Sequence, residues 1–426
     1  MRFDALTGKQ VQSVQLATTR TNVWEGAVRS SKTISSIMKW LRYTRTGPQG
    51  ALLMVGKTER TLKRNIVDPI QEMVGTKRCK FKSGTGEVEL LGRTIYVAGA
   101  HDEGSADRIK GLTLAGAYGD ELTTWPESFY SMLGTRLSIP GAQMFGTTNP
   151  GAPTHWLMRD HLKRARVHLD RHGNILTSHD PEALNLSRFS FQLADNPSLT
   201  AEYVEEISKE FTGLFYRRYV LGEWVLAEGA IFDKWDENLH VVDELPSIQE
   251  WIAVGIDYGT VNPFHAVMLG LGADGILYAT SEYRHDSRAA RKQKTDTEYA
   301  DDILAWLASK PTPAHLIVDP SAASFRQEMR SRGYHTGAGD NSVLDGIRTL
   351  AGLLGRGVLK IHRSCTGLID EMPGYSWDDK AAEKGLDEPL KLDDHGVDAL
   401  RYAVHTTRKL WRWRIKHQLT EDLGGD

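Results

Sequence analysis

Cysteine is almost absent: Cys79 and Cys365 are the only two among 426 residues. A pair so far apart neither frames a metal site nor indicates a disulfide, which fits a reducing compartment. No stretch approaches the roughly 18 consecutive apolar residues of a membrane span. The opening Met1-Arg2-Phe3-Asp4 lacks the apolar run of a signal peptide. Positive charge is not in surplus: 52 Lys and Arg face 55 Asp and Glu, a net charge of −3. Contact with nucleic acid must therefore come from local patches. Internal repeats and low-complexity tracts are also missing. What remains, 40% hydrophobic and 25% charged, is the composition of a globular protein, and the length predicts two domains.

The first chemical signal is Gly26-Ala27-Val28-Arg29-Ser30-Ser31-Lys32-Thr33. Its first Gly and its Lys-Thr match a phosphate-binding loop, with Ser31 in place of the second Gly. Backbone amides at a helix start would cradle phosphate, Lys32 would place a charge on it, and Thr33 would hold Mg²⁺. A polar turn capped by Ser30 or Ser31 is the competing reading. Upstream, residues 1–21 read as a Gln-rich surface lead-in or as the source of an adenine-reading glutamine, Gln10. Downstream, Ile34, Ile37, Met38 and Leu41 predict an amphipathic helix. Strands are expected over 51–55 and 94–98, with a helix over 60–74 between them. This alternation predicts a parallel α/β sheet. The run 112–121 ends in Asp120-Glu121, either a solvated turn or a magnesium acid followed by a general base. A strand over 143–146 runs into Thr147-Thr148-Asn149-Pro150, a turn or a γ-phosphate sensor. Arg29 and Arg108 are candidate arginine fingers.

The second half repeats one device. Apolar strands end in single acids at Asp257 and at Asp319, and antiparallel strand patterns follow the first, as in an RNase H-like fold. A helix is expected around Asp394, His395 and Asp398, whose spacing puts them on one face. Carboxylates from two strands and one helix suit a two-metal phosphodiesterase using Mg²⁺ or Mn²⁺. His395 is either an auxiliary ligand or a solvated first-turn residue. The stretch 211–224, rich in aromatics and arginine, reads as a lid helix or a nucleic-acid contact. The basic and aromatic tail 408–416 reads as a nucleic-acid contact or a solvated helix end.

Taken in order, these motifs resemble the large terminase subunits of tailed bacteriophages. The resemblance is carried by the loop at 26–33, Gly119-Asp120-Glu121, Thr147-Thr148-Asn149-Pro150, Gly222-Glu223-Trp224 and Asp394-His395 through Ala403. It implies an α/β chain: a P-loop NTPase domain with a mainly parallel sheet over 1–228, a linker over 229–248, and an RNase H-like mixed-sheet nuclease domain over 249–426. It implies ATP and Mg²⁺ at Gly26, Arg29, Ser30, Ser31, Lys32, Thr33 and Asp120, with Gln10 and Asn149 also nucleotide-binding and Glu121 as base. Asp257, Asp319 and Asp398, with His395, would be catalytic metal ligands for Mg²⁺ or Mn²⁺. The implied partners are double-stranded DNA, a portal protein, a small terminase subunit and further copies in a ring of five on the procapsid, in the host cytoplasm and away from membranes. Two alternatives stay open: a repair or recombination helicase-nuclease, and an RNase H-like resolvase or transposase carrying a non-hydrolysing scaffold.

Overall fold

The computed structural model describes residues 6, 8–82, 84–259 and 262–415. The chain forms two compact units. The first runs to Glu205 and takes in Leu214–Leu226 and Glu383–Leu386. The second takes Glu206–Gly213, Ala227–Ala382 and the chain from Asp387.

The first unit is built on ten strands: β1 (Thr21–Gly26), β2 (Ala51–Gly56), β3 (Cys79–Lys82), β4 (Glu87–Leu90), β5 (Arg93–Gly99), β6 (Leu114–Gly119), β7 (Gln143–Thr148), β8 (Ala165–Leu169), β9 (Ile175–Thr177) and β10 (Leu184–Phe191). Their order is β3-β4-β5-β2-β6-β7-β1-β10-β8-β9. Every neighbouring pair from β5 to β8 in that order is parallel. Antiparallel pairs occur only at the two ends. The expected mainly parallel α/β fold is therefore the observed one. The central strands are buried on both faces, which is why β2 and β6 read as runs with few polar side chains.

The helix Lys32–Thr46 forms as expected, but it presents a different face. Ile37, Trp40 and Tyr43 are buried, whereas Met38 is 43% exposed. Trp40 and Tyr43 pack against Tyr118 and Phe145 of the sheet. Rings bury the largest areas, so they decide which face turns inward. Residues 59–74 are helical throughout, with a π turn at Lys63–Val67. The lead-in is partly core: the helix Gly8–Leu16 buries Gln10 and Ser13, and Trp24 Nε1 donates to Ser13 Oγ at 2.9 Å. Met1 to Ala5 and Thr7 lie outside the described residues.

The second unit holds β11 (Val241–Val242), β12 (Ile248–Asp257), β13 (Phe264–Gly272), β14 (Leu277–His285), β15 (His315–Val318), β16 (Thr336–Ala338) and β17 (Leu359–His362), in the order β11-β17-β14-β13-β12-β15-β16. The strands β12, β13 and β14 form an antiparallel meander, and β15, β16 and β17 add in parallel. This mixed sheet is the arrangement expected of an RNase H-like fold. The stretch 229–248, expected to be a linker, is folded into this unit. Ala230 bridges Ser376, the helix Glu237–His240 follows, and β11 joins the sheet. Among the described residues no helix is long and apolar enough to cross a membrane.

Candidate active sites

The first site sits where β1, β6 and β7 end. Gly26 closes β1 at φ 132°, and a Cβ there would fall 2.0 Å from Phe191 O. Only glycine lets the loop leave the sheet beside β10. Ala27 N then donates to Phe191 O at 2.8 Å and Val28 N to Tyr219 O at 3.0 Å. Arg29 and Ser31 take the left-handed conformation, at φ 52° and φ 68°. Left-handed residues within a turn are the backbone states from which anion nests are built. Ser31 thus adopts the conformation a glycine would favour, at a cost of about 1 kcal/mol. Neither serine caps the helix. Ser31 makes no side-chain cap bond, and Ser30 Oγ donates to Ala27 O at 2.7 Å.

Lys32 is buried and its ammonium donates to Ala27 O at 2.8 Å. Burial drives its pKa down to about 8, against the opposing pull of Asp120, Glu121 and Glu25. Asp120 follows β6, with its amide on Val55 O at 2.8 Å. Thr147 Oγ1 donates to its Oδ1 at 2.8 Å and Asn65 Nδ2 to its Oδ2 at 3.1 Å. Burial raises the Asp120 pKa despite these bonds. Glu121 stands at φ 55°, a strained left-handed position for a side-chain-bearing residue. Burial and the neighbouring Asp120 both raise its pKa. Thr148 meets Thr123, Oγ1 to Oγ1, at 2.8 Å. Asn149 Oδ1 is buried without a hydrogen-bond partner.

Other sequence candidates stand further from this cluster. Arg108 is exposed on the 3-10 turn Glu103–Ile109. Arg29 places its guanidinium 5.3 Å from the Tyr203 ring centre. Two residues that sequence reading passed over belong to the site. Asn65 reaches Asp120 from the π turn, an irregularity that helical periodicity does not reveal. Glu25, wholly buried just before Gly26, accepts from Arg188 Nε at 2.8 Å, Trp224 Nε1 at 3.0 Å and Ser190 Oγ. Burial raises the Glu25 pKa, but these partners together bring it below its ordinary 4.5. Its stabilising effect is therefore present above about pH 4.5 and lost as pH falls through the depressed value. Replacing Glu25 by Ala should cost about 3 kcal/mol, because a partly buried guanidinium and an indole N–H lose their acceptor. Urea unfolding of the first unit measures this, and an unchanged midpoint would refute it.

The second site lies at one end of the β12 sheet. β12 and β15 pair in parallel with Ile256 beside Val318. Asp319 N donates to Ile256 O at 2.9 Å, so the ladder itself sets Asp257 and Asp319 side by side. The helix His395–Thr406 crosses this sheet. Gly255 permits it, since a Cβ there would meet Ala399 O at 2.0 Å. Asp257, Asp319, Asp394, His395 and Asp398 then line one cavity of about 560 Å³. His395 Nδ1 lies 2.9 Å from Asp257 Oδ2. Burial lowers the His395 pKa, but the Asp257 carboxylate outweighs it and the net shift is upward. Asp257 itself is pushed up to about 6 by burial and by the charges of Asp398 and Asp319. Ser321 donates twice to Asp319, through N and Oγ, each at 2.8 Å.

Asp394 is the residue before the helix rather than its first turn, yet it shares a partner with Asp398. Lys391 Nζ lies 3.0 Å from Asp394 and 3.2 Å from Asp398. Arg401, fully buried, donates from Nε to Asp398 Oδ1 at 3.0 Å. Lys391 and Arg401 were not singled out from the sequence; Arg401 could have been, as a charge on the apolar face of this helix. No three acidic, histidine or cysteine side chains among the described residues stand close enough to hold one ion together. The donors are nevertheless hard oxygens lining one cavity, the chemistry that suits Mg²⁺ or Mn²⁺. In the tail, Trp411 is core, while Trp413 is 76% exposed with Arg412 stacked on it at 4.4 Å. Lys416 lies outside the described residues.

Comparison with known proteins points to one family. Residues 42–238 match the family model for the terminase large subunit, T4likevirus-type, N-terminal. The large terminase subunit of Escherichia phage T5 is 27% identical over 225 residues, so the match spans about half of this chain and half of that relative. The large terminase of a thermophilic bacteriophage, solved as a crystal structure, is 34% identical, over 95% of this chain and 99% of that one, with a TM-score of 0.84. The complex of that thermophilic-phage terminase with ADP is 33% identical over 94% and 99%, with a TM-score of 0.83. Its complex with ATP-gamma-S is 33% identical over 92% and 97%, with a TM-score of 0.80.

Proposed function

The chain belongs to the large-subunit family of bacteriophage terminases, and from that premise we propose that it is a DNA-packaging motor that hydrolyses ATP and cuts the DNA it packages. The observation that carries this reading is a pair of sites suited to phosphate chemistry, one in each unit. Lys32 feels Asp120 and Glu121 in the first. Asp257, Asp319 and Asp398 share one cavity in the second. The thermophilic-phage relative binds ADP and ATP-gamma-S, which supports ATP as the ligand here.

In the first unit, the loop amides and Lys32 bind the β- and γ-phosphates. Thr33 and Asp120 would hold Mg²⁺, which neutralises charge on those oxygens. Thr147 keeps Asp120 in place, and Glu121 takes the proton of the attacking water. Its raised pKa makes it a better base than a solvent-exposed glutamate. Asn149 orients the water through its unpartnered buried Oδ1, or reads the γ-phosphate through Nδ2. Gln10, or another group of the lead-in, reads adenine. Arg29 or Arg108 serves as the finger.

In the second unit, Asp257, Asp319 and Asp398 would hold two divalent ions, Mg²⁺ or Mn²⁺, with His395 auxiliary; such ions activate water and stabilise the leaving oxygen of a phosphodiester. Arg401 fixes the Asp398 carboxylate. Arg412 and Trp413 offer a charge and a ring to the DNA. Duplex DNA must be held between strokes, so copies act together in a ring, five in this reading. The ring sits on the portal of a procapsid in the host cytoplasm, with the small subunit delivering DNA.

The test is Lys32→Ala. ATP turnover should fall about a hundredfold, the size of losing one preorganised charge at a developing anion. Wild-type turnover would reject the motor assignment and leave the nuclease half to act alone.

A further inference from the structure

Behind the nuclease cavity lies a buried cluster that does not line it. Glu371 is 5% exposed and ends the helix Thr366–Glu371. Its Oε2 accepts from Gly396 N at 2.5 Å and from Val397 N at 3.3 Å. These are first-turn amides of the helix His395–Thr406, which carries His395 and Asp398. Such amides are usually satisfied by the residue that precedes the helix. Here that residue is Asp394, and it makes no side-chain cap bond. Its carboxylate is turned to Lys391 in the cavity instead. Glu371 therefore does the capping from outside and leaves Asp394 free to face the cavity.

Glu371 also faces a buried imidazole. His265 of β13, opposite Asp257 in the ladder, is fully buried between two acids. Its Nε2 lies 2.9 Å from Glu282 Oε2, and its Nδ1 lies 3.7 Å from Glu371 Oε1. Glu282 in turn accepts from Gly367 N at 2.8 Å and Leu368 N at 3.0 Å, at the start of the helix that bears Glu371. The packing leaves no slack. A Cβ on Gly396 would fall 2.6 Å from His265 Cε1 and 2.9 Å from Glu371 Oε2. That explains a glycine between His395 and Asp398, where helix propensity alone disfavours it.

We infer that Glu371 is a positioning residue for the nuclease centre: by capping Gly396 and Val397 it sets the directions in which His395 and Asp398 enter the cavity. The inference rests on the nuclease reading of that cavity. The charge on Glu371 also complements the positive end of the helix dipole, which ties the helix start to β13 and hence to Asp257.

Mn²⁺ titration of the full chain without nucleotide, followed by calorimetry, tests it. Glu371→Met removes the acceptor at similar volume and should weaken Mn²⁺ binding about tenfold, the scale seen for partners that orient metal ligands. Glu371→Gln keeps a carbonyl oxygen for the two amides and should stay within about threefold of wild type. ATP turnover should be unchanged in both. Wild-type affinity in Glu371→Met, or equal losses in both variants, overturns the inference. Should Glu371→Met fail to melt cooperatively, Gly396→Ala carries the decision: it pushes the helix start off the cluster and should cost the same tenfold, while wild-type affinity overturns the idea. Asp398→Ala separates the two levels. If it leaves Mn²⁺ binding intact, the nuclease reading itself is at fault; if it abolishes binding, only the Glu371 results judge the positioning role.

Discussion

Glu121→Gln should lower ATP turnover by about 10³–10⁴-fold and leave ATP binding within a few-fold of wild type. The amide keeps the size and the left-handed turn at φ 55° but cannot accept a proton. General-base removal costs about 10²–10⁴ in rate, and the upper part of that range applies where the base is held in place by the backbone. Glutamine also removes a charge from beside Asp120, so phosphate is repelled less and binding should not suffer. Turnover in the wild type should decline as pH drops through the Glu121 pKa, which lies above the ordinary 4.5. That limb should be missing from the residual activity of Glu121→Gln. Single-turnover hydrolysis with labelled ATP, beside a fluorescent-nucleotide titration, reads both quantities. Near-normal turnover in this variant would remove Glu121 from the mechanism.

How much of this was legible from the chain depends on the distance over which each signal acts. The loop at 26–33 is local, and its Lys32 emerged together with Asp120 and Glu121 because each follows or begins a strand or helix with a clear pattern. The parallel α/β kind of the sheet was legible, since β2 reads as an apolar run and strands alternate with helices. The face of the helix Lys32–Thr46 was not. Periodicity weighted Met38 and Ile34 like any apolar residue, while ring area put Trp40 and Tyr43 inward. Glu25 escaped notice because β1, Thr-Asn-Val-Trp-Glu-Gly, has no apolar run to mark it as a buried strand. Its buried status depends on Arg188 and Trp224, which are 163 and 199 residues away. Asn65 was hidden by a π turn that shifts the helix register by one residue. The stretch 229–248 looked like a linker for its charges and its proline, yet its short strand is rescued by pairing with β17, again a distant partner. Signals carried by neighbours in sequence were readable; those carried by neighbours in space were not.

The same contrast bears on Asp257, which should prove indispensable to cutting and a burden to the fold. Asp257→Asn should reduce Mn²⁺-dependent plasmid cleavage at least roughly a thousandfold and leave ATP turnover unchanged. A carboxylate that holds divalent ions supplies several kcal/mol of charge stabilisation to the reaction, and each ~1.36 kcal/mol is tenfold. In metal-free buffer at pH 7 the outcome for stability has the opposite sign. Asp257 is itself largely buried and is crowded by the charges of Asp398 and Asp319, and its pKa is pushed up to about 6. A folded-state value above the ordinary 3.8 means that the folded chain binds more protons than the unfolded one between those two pH values. Stability is then lost as pH rises from about 3.8 through about 6. Asparagine removes that repulsion and still offers an oxygen to His395 Nδ1, so the second unit should melt at a higher temperature than wild type. An aspartate placed for structure would behave the other way, with its loss lowering the melting temperature and cleavage following stability down. A drop in both cleavage and melting temperature would therefore assign Asp257 to the scaffold. A drop in cleavage with a rise in melting temperature is the signature of a carboxylate held against its own preference for the sake of a cation.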